Sequence, residues 1–335
     1  MREGLGTRHS ALGVSASGRL GALGSVVVLL ASAGPVAGQG LPPYAPLNPM
    51  AQMRTGLGTL PWFGPEQDWH IVLTNDYGSS IEYTDRPEVR YVLDAELLAT
   101  RLLVGRNLGG RGFLLAEATF QRSSNGFLDG FLDWYHDFTG LQVAARSLRP
   151  RNEFAYELHF PEQDFVYQRA AFLGDFRLGG GMRYGNGWQS AVWLTLPTSS
   201  SPGGYRKGRI SANATTMFHR DLGPNARFTY EASIGVGLTP RRGELRVWQR
   251  TAFLMVSQGV RARLIGPLNA YANVIYDSPY YRRTGSPDLD SKELTIDFGA
   301  LFRFKRGPTW LLGMTQDLSP NGPAIDVAFR LGAYW

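Results

Sequence analysis

The sequence predicts an all-β protein: a transmembrane antiparallel β-barrel of about fourteen strands, with twelve as the alternative count, carrying one short helical insertion. Three observations lead there. The first is the stretch from Ala324 to Trp335, where Ile325, Val327, Phe329, Leu331, Ala333 and Trp335 alternate with Asp326, Arg330, Tyr334 and small residues. Successive side chains of a strand point to opposite faces, so this segment has one apolar and one polar side, and it ends on an aromatic residue. The second is that the pattern recurs. Phe228, Tyr230, Ala232, Ile234, Val236 and Leu238 alternate with Arg227, Thr229, Glu231 and Ser233, and Leu294, Ile296, Phe298, Ala300, Phe302 and Phe304 oppose Glu293, Thr295, Asp297 and Arg303. Phe154, Tyr156, Leu158 and Phe160 alternate likewise with Glu153, Glu157 and His159. A membrane-spanning strand needs about 9–11 residues, apolar towards lipid and polar towards the lumen. The third is that beyond the N-terminus no apolar run reaches the ~18 residues a helical span requires, while aromatic residues make up 12% of the chain and glycine supplies 41 residues.

Composition narrows the function classes. The chain holds no cysteine, which excludes a disulfide framework, thiolate zinc sites and a lipoprotein anchor. The net charge is +6, but the cations are dispersed among carboxylates, and Lys207, Lys292 and Lys305 are the only lysines. Nucleic acid is excluded as a partner, since its footprint is a clustered basic face.

Taken in order, residues 1–38 read as a secretory signal. Arg2, Arg8 and Arg19 supply the positive start, Leu20 to Ala33 a short apolar core, and Val36-Ala37-Gly38 small residues for cleavage before Gln39. Residues 39–66 are Pro-rich and aperiodic, so an extended periplasmic lead-in is expected there. Strands follow near 68–76, 88–105, 111–122, 141–148, 153–160, 171–183, 187–196, 208–219, 226–238, 245–257, 267–277, 292–304, 309–317 and 323–334, giving a barrel over 67–335. The segment 141–148 is the weakest of these and 245–257 is ambiguous in phase, hence the count of twelve as alternative. Short connections at 184–186 and 305–308 alternate with long ones at 197–207 and 278–291, which places the short ones in the periplasm and both chain ends on that side.

Residues 126–138 break the strand pattern. Phe127, Phe131, Trp134 and Phe138 recur at helical spacing while Asp129, Asp133, His136 and Asp137 lie off that stripe, so an amphipathic helix is expected, placed to fold into the lumen as a plug. Here the chain resembles a Gram-negative outer-membrane family known only as domain of unknown function 3187. The resemblance rests on Leu128-Asp129-Gly130-Phe131-Leu132-Asp133-Trp134-Tyr135-His136, then Gly140-Leu141 and Arg146, with Leu93-Asp94-Ala95-Glu96 and Asn48-Pro49 as weaker support. It implies an outer-membrane barrel over most of 45–335 and supplies no activity and no catalytic residues.

The site residues follow from the strand phase. Asp94, Glu96, Glu117, Arg146, Glu153, Asp175, Arg177, Arg183, Arg227, Glu231, Asp297, Arg303, Asp326 and Arg330 fall on positions expected to face the lumen, joined by Asp129, Asp133 and His136 of the insertion. Mixed charge of this kind lines a selective pore, or pairs off within a closed barrel; both readings stay open. The channel reading, for small or amphipathic solutes, is preferred over a closed structural or surface-interaction barrel. No cofactor is expected and no metal site: His70, His136, His159 and His219 form no ligand pair, although Asp129, Asp133 and His136 share a helical face. A lipid hydrolase is the enzymatic alternative, because Ser124-Asn125-Gly126 resembles the Ser-Asn-Gly element of outer-membrane phospholipases. The general base expected two residues before that serine is Arg122 here, so the serine has no activating histidine and no enzymatic role is assigned. Expected partners are outer-membrane lipid, lipopolysaccharide and the barrel-assembly machinery, the last through the C-terminal strand ending at Trp335. A soluble sandwich is the rival at the level of fold.

Overall fold

A computed structural model describes residues 40–140, 144–304, 306–319, 321–323 and 325–335. The expected signal at 1–38, with Leu141, Lys305 and Ala324, lies outside the described residues. Fifteen strands occur: β1 (Trp69–Arg86), β2 (Val89–Asn107), β3 (Gly112–Ser124), β4 (Ala155–Phe160), β5 (Gln163–Val166), β6 (Ala171–Leu173), β7 (Arg177–Gly185), β8 (Trp188–Thr195), β9 (Ser211–Leu222), β10 (Phe228–Leu238), β11 (Ala252–Arg263), β12 (Leu268–Asp277), β13 (Glu293–Arg303), β14 (Thr309–Asp317) and β15 (Val327–Tyr334). Three helices accompany them: α1 (Pro49–Gln52), α2 (Asp129–Thr139) and α3 (Pro287–Asp290).

Twelve strands, β1–β3 and β7–β15, pair antiparallel in a closed ring; β15 returns to β1 through Val72 opposite Tyr334 and Asp76 opposite Arg330. The count is therefore the lower of the two expected from sequence. The three extra strands sit at the loop-rich end. β4 and β5 form a hairpin on the upper part of β2, and β6 pairs with the top of β3 before the chain bends at 174–176 and continues as β7. One expected strand, 171–183, is thus interrupted. Another, 141–148, is replaced over its described part by a 3-10 turn, Ala144–Leu148, and the ambiguous 245–257 resolves as a strand beginning at Ala252. The turn ends of β1, β8, β10 and β14 carry Trp69, Trp188, Phe228 and Trp310, all exposed on the outer wall. With the exposed Leu194, Ile234, Val236, Val256 and Leu312 above them, they form the apolar band and aromatic girdle of a barrel whose outer solvent is lipid. No helix among the described residues is long and apolar enough to cross a membrane.

Two placements differ from expectation. Residues 40–64 do not hang below the barrel; they run up inside it, turn at α1 and descend to β1. The two arms pair with each other, Thr59 N donating to Tyr44 O at 2.8 Å and Tyr44 N to Thr59 Oγ1 at 2.7 Å. The second difference is α2, which lies outside the ring. Its Leu128 and Leu132 pack on Tyr77, Met314, Val327 and Phe329, which share strand parity with the lipid-facing Ile71, Leu312 and Leu331. Tyr77 stands about 26 Å along β1 from Trp69 at about 3.3 Å per residue, or about 20 Å up a barrel tilted by about 40°. The helix therefore sits near the outer edge of the apolar band. Its Phe127, Phe131, Trp134 and Phe138 are turned outwards, where they continue the upper aromatic girdle.

Candidate functional site

The lumen is the site, and the segment 40–64 fills most of it. Pro42, Pro43, Pro46, Pro49 and Pro61 lie in that segment, and proline has no N–H to satisfy in a confined interior. What remains in excess is carbonyl oxygen, and the wall supplies donors for it. Arg101 Nη2 donates to Ala45 O at 3.0 Å and Pro46 O at 3.1 Å, Arg177 Nη2 to Gly56 O at 2.6 Å, Gln189 Nε2 to Pro61 O at 2.7 Å, and Arg183 Nη1 to Phe63 O at 3.1 Å. Arginine offers five donors and no acceptor, so it is matched to a carbonyl-rich chain. The plug's few N–H groups find carboxylates and hydroxyls, as where Leu41 N donates to Glu231 Oε2 at 2.9 Å. At the top, Asn48 caps α1 by accepting from Met50 N at 2.8 Å and donates to Glu82 at 2.6 Å. Leu57 packs on Gly235 and Gly237; a Cβ at either glycine would stand 3.0–3.1 Å from it.

The inward charges pair around this plug. Arg330 lies between Asp76, 2.5 Å from Nε, and Asp297, 2.8 Å from Nη1, with Arg101 3.7 Å from Asp76. Tyr44 of the plug covers the Arg330 guanidinium at 5.9 Å, and Tyr271 donates to Asp297 at 3.1 Å. Tyr271 can lie there because its neighbour is Gly313, where a Cβ would come within 2.3 Å of its hydroxyl. Glu117 pairs with Arg177 at 2.7 Å and Glu231 with His219 at 2.7 Å. Arg303 and Arg227 stand at the short-turn rim, and Arg227 covers the ring of Phe228.

The remaining expected lumen residues are elsewhere. Asp94 and Glu96 face outwards, on the parity of Leu98 and Leu102, and are buried by the insertion. Glu96 accepts from Phe127 N at 2.6 Å, from Leu128 N and from the Tyr77 hydroxyl, and Asp94 accepts from Arg149 at 3.1 Å. Asp129, His136, Arg146 and Asp326 form one cluster between the insertion and the outer wall. Arg146 reaches Asp129 at 2.9 Å, Asp326 at 2.6 Å and Ser79 Oγ at 3.1 Å, while His136 Nε2 is 3.1 Å from Asp326. Asp133 pairs with Arg151 at the exposed margin, at 2.7 Å, and Glu153 lies 3.9 Å from Arg149. These charges fasten the helix rather than line a pore. His136 faces Asp326, and Ser124 is not among its partners in the described residues. Among the described residues no group of three or more potential ligands is arranged for a metal.

Beside the plug a chain of cavities remains. An open vestibule of about 650 Å³ at the loop-rich end is lined by Asp175, Arg206, Lys207, Arg209, Arg242 and Glu244 among apolar Met53, Tyr167, Pro197 and Leu245. It meets a cavity of about 70 Å³ at Asp175 and Lys207, which in turn shares Ala45, Arg101, Glu117 and Arg177 with a third of about 30 Å³ reaching Val72 and Leu103. Burial pushes the Lys207 amine down to about 8, with Arg177 and Arg54 acting the same way and Asp175 and Glu117 opposing. Sequence periodicity missed Lys207 and Arg54 because both lie in loops, and Arg209, placed within an expected strand at 208–219, because that strand begins only at Ser211. The usable signal was one of only three lysines standing in the Gly- and Arg-rich stretch 203–209.

A closed twelve-stranded ring, an apolar outer band with its aromatic girdle and a lumenal plug define an outer-membrane β-barrel. The chain belongs to the family described as protein of unknown function (DUF3187), whose profile matches residues 20–196, a span that includes the plug and the whole helical insertion. No curated protein matches it by sequence. Among solved structures it is similar to the COG4313 outer membrane channel from Pseudomonas putida F1, with TM-score 0.52 and 11% identity over 79% of this chain and 94% of that one. Similarity also extends to the Pseudomonas putida toluene transporter TodX, with TM-score 0.37 and 9% identity over 79% of this chain and 87% of that one. The β domain of the Bordetella autotransporter BrkA gives TM-score 0.42 and 12% identity over 80% of this chain and 99% of that one.

Proposed function

We propose that this protein is a gated passage for small solutes across the outer membrane, with residues 40–64 as the gate. The observation that carries the reading is the row of three cavities, about 650, 70 and 30 Å³, running from the extracellular mouth along the plug past Arg101 and Arg177. A barrel kept only for structure has no need of a wide polar vestibule above a seam between plug and wall. The seam combines several single hydrogen bonds to plug carbonyls, each worth about 0.5–1.5 kcal/mol net, with apolar packing of Leu57, Leu60 and Phe63 on the wall, and displacing this one arm disrupts fewer contacts than unfolding the ring. The structural neighbour from Pseudomonas putida is named a channel, which agrees with this reading. Lipid and lipopolysaccharide are the partners of the outer wall, and the C-terminal strand ending at Trp335 is the element offered to the assembly machinery.

The test uses the natural absence of cysteine. A Cβ at Gly56 would stand 2.9 Å from Thr195 Oγ1, so Gly56→Cys with Thr195→Cys places two thiols within bonding reach. In planar bilayers the reduced double variant is expected to open and the oxidised one to stay shut. A barrel of demonstrated heat-modifiable mobility that is silent in both states, and as wild type, is a closed structural barrel.

A further inference from the structure

Lys207 and Arg209 line the vestibule, with Arg54 behind them against the Phe253 ring, and none of the three forms an ion pair with a described carboxylate. Arg54 is fully buried and donates only to backbone carbonyls, Thr239 O at 3.1 Å and Arg250 O at 2.5 Å, leaving Nε and Nη1 without a partner. Arg209, 8% exposed, donates to Lys207 O at 2.6 Å, Pro240 O at 2.8 Å and Gln249 Oε1 at 3.4 Å. Lys207, also 8% exposed, lines both the vestibule and the cavity beneath it, and no hydrogen bond or ion pair joins its ammonium to a described residue. Each buried charge costs several kcal/mol unless it is paired or hydrogen-bonded. Elsewhere in this lumen buried cations meet carboxylates, as at Asp76–Arg330–Asp297 and Glu117–Arg177. Buried carboxyls without a cation also occur, at Glu82, Asp277 and Glu293, but they line none of the three cavities. Lys207 and Arg209 are unpaired cations that line the described cavity wide enough to admit an organic molecule.

We propose that this vestibule binds a small organic anion, its carboxylate held by Lys207 and Arg209 with Arg54 behind them. Glu244 also lines the cavity and Asp175 shares the floor with Lys207, so Lys207 and Arg209 together leave an excess of positive charge there for the carboxylate. Apolar Met53, Tyr167 and Leu245 in the same lining receive the hydrocarbon body. This rests on the passage reading for its role, since it names the class of solute captured at the mouth, but binding itself does not require conduction.

The experiment is calorimetric titration of the refolded full mature chain, in non-ionic detergent at fixed ionic strength, with benzoate, benzylamine, benzyl alcohol and inorganic phosphate. Saturable binding of benzoate alone is expected, weakened at least tenfold by Lys207→Gln or Arg209→Gln and retained in Lys207→Arg. Heat-modifiable mobility of each variant separates a lost site from a lost fold, and Lys207→Gln removes a buried charge without breaking a pair. Absence of benzoate binding, equal binding of benzylamine or benzyl alcohol, binding of phosphate alone, or benzoate binding indifferent to both substitutions would each overturn the proposal. Benzoate binding by a barrel that never conducts removes the passage and keeps the site; conduction without benzoate binding does the reverse.

Discussion

Arg146 meets the carboxylate of Asp326 at 2.6 Å across 180 residues of sequence, and its other nitrogens reach Asp129 and Ser79. One side chain thereby ties the 3-10 turn, the start of α2, β1 and the approach to β15 into a single joint on the outside of the ring. Asp129 and Arg146, two of the residues that carry the family resemblance, belong to this joint.

Arg146→Gln is expected to free the insertion without opening the barrel. It leaves Asp129 and Asp326 facing each other with only His136 nearby, and breaking such a buried pair costs about 3–5 kcal/mol. Trypsin should then cut after Arg151, since Pro150 shields Arg149, while heat-modifiable mobility stays that of wild type because the ring is untouched.

Gly126→Ala strikes the same joint from the other side. Gly126 has φ +58°, and a Cβ there would fall 1.7 Å from the Glu96 carboxyl carbon. The expected outcome is displacement of Glu96 from the amides of Phe127 and Leu128, read as the same new tryptic cut. Adding Glu96→Ala relieves the overlap but not the lost acceptor, so it should restore protection only in part.

Arg330→Met acts on the lumen. It strands Asp76 and Asp297 beside each other, and a loss of about 3–5 kcal/mol is expected, read as a lower unfolding midpoint in urea with detergent. Asp297→Asn in the same chain removes one stranded charge and should recover part of the loss.

Benzoate affinity is expected to fall as pH rises past about 8. The Lys207 amine has been lowered from 10.5 to about 8, so its charged form is lost there and not two units higher. Burial lowers Arg54 only to about 10, so between about pH 7 and 9 Lys207 is the titrating cation. A titration series over that range checks this, and Lys207→Gln should flatten it. In the unliganded protein the same depressed base binds fewer protons than in the unfolded chain, so stability should rise between about pH 8 and 10.5.

The wall was legible because a strand writes its two environments into alternate residues. Phe228 to Leu238 shows this plainly: each outward side chain is apolar or aromatic, and each inward one is polar or glycine. The same rule places Glu117, Glu231 and Asp297 correctly, since a neighbouring strand does not change parity. It fails for Asp94 and Glu96, whose outward faces are covered by a distant insertion and so carry charge where lipid would forbid it. The count is the lower of the two expected for a local reason: the chain bends at Gly174, and 144–148 makes a turn where alternation suggested a strand.

By itself the sequence determined the membrane it suits, the class of fold, the direction of the strands and the existence of an amphipathic helix. Each is encoded in spacing along one segment. Tertiary structure alone decided what fills the lumen and what lies against lipid. The Pro-rich segment 40–64 has no periodicity of its own, and its place follows from arginines and a glutamine on distant strands that match its surplus carbonyls. The helix looks equally fit for either side of the wall until Asp129 and His136 find Arg146 and Asp326. Such complementarity between remote segments is a property of the closed ring, and no window of sequence contains it.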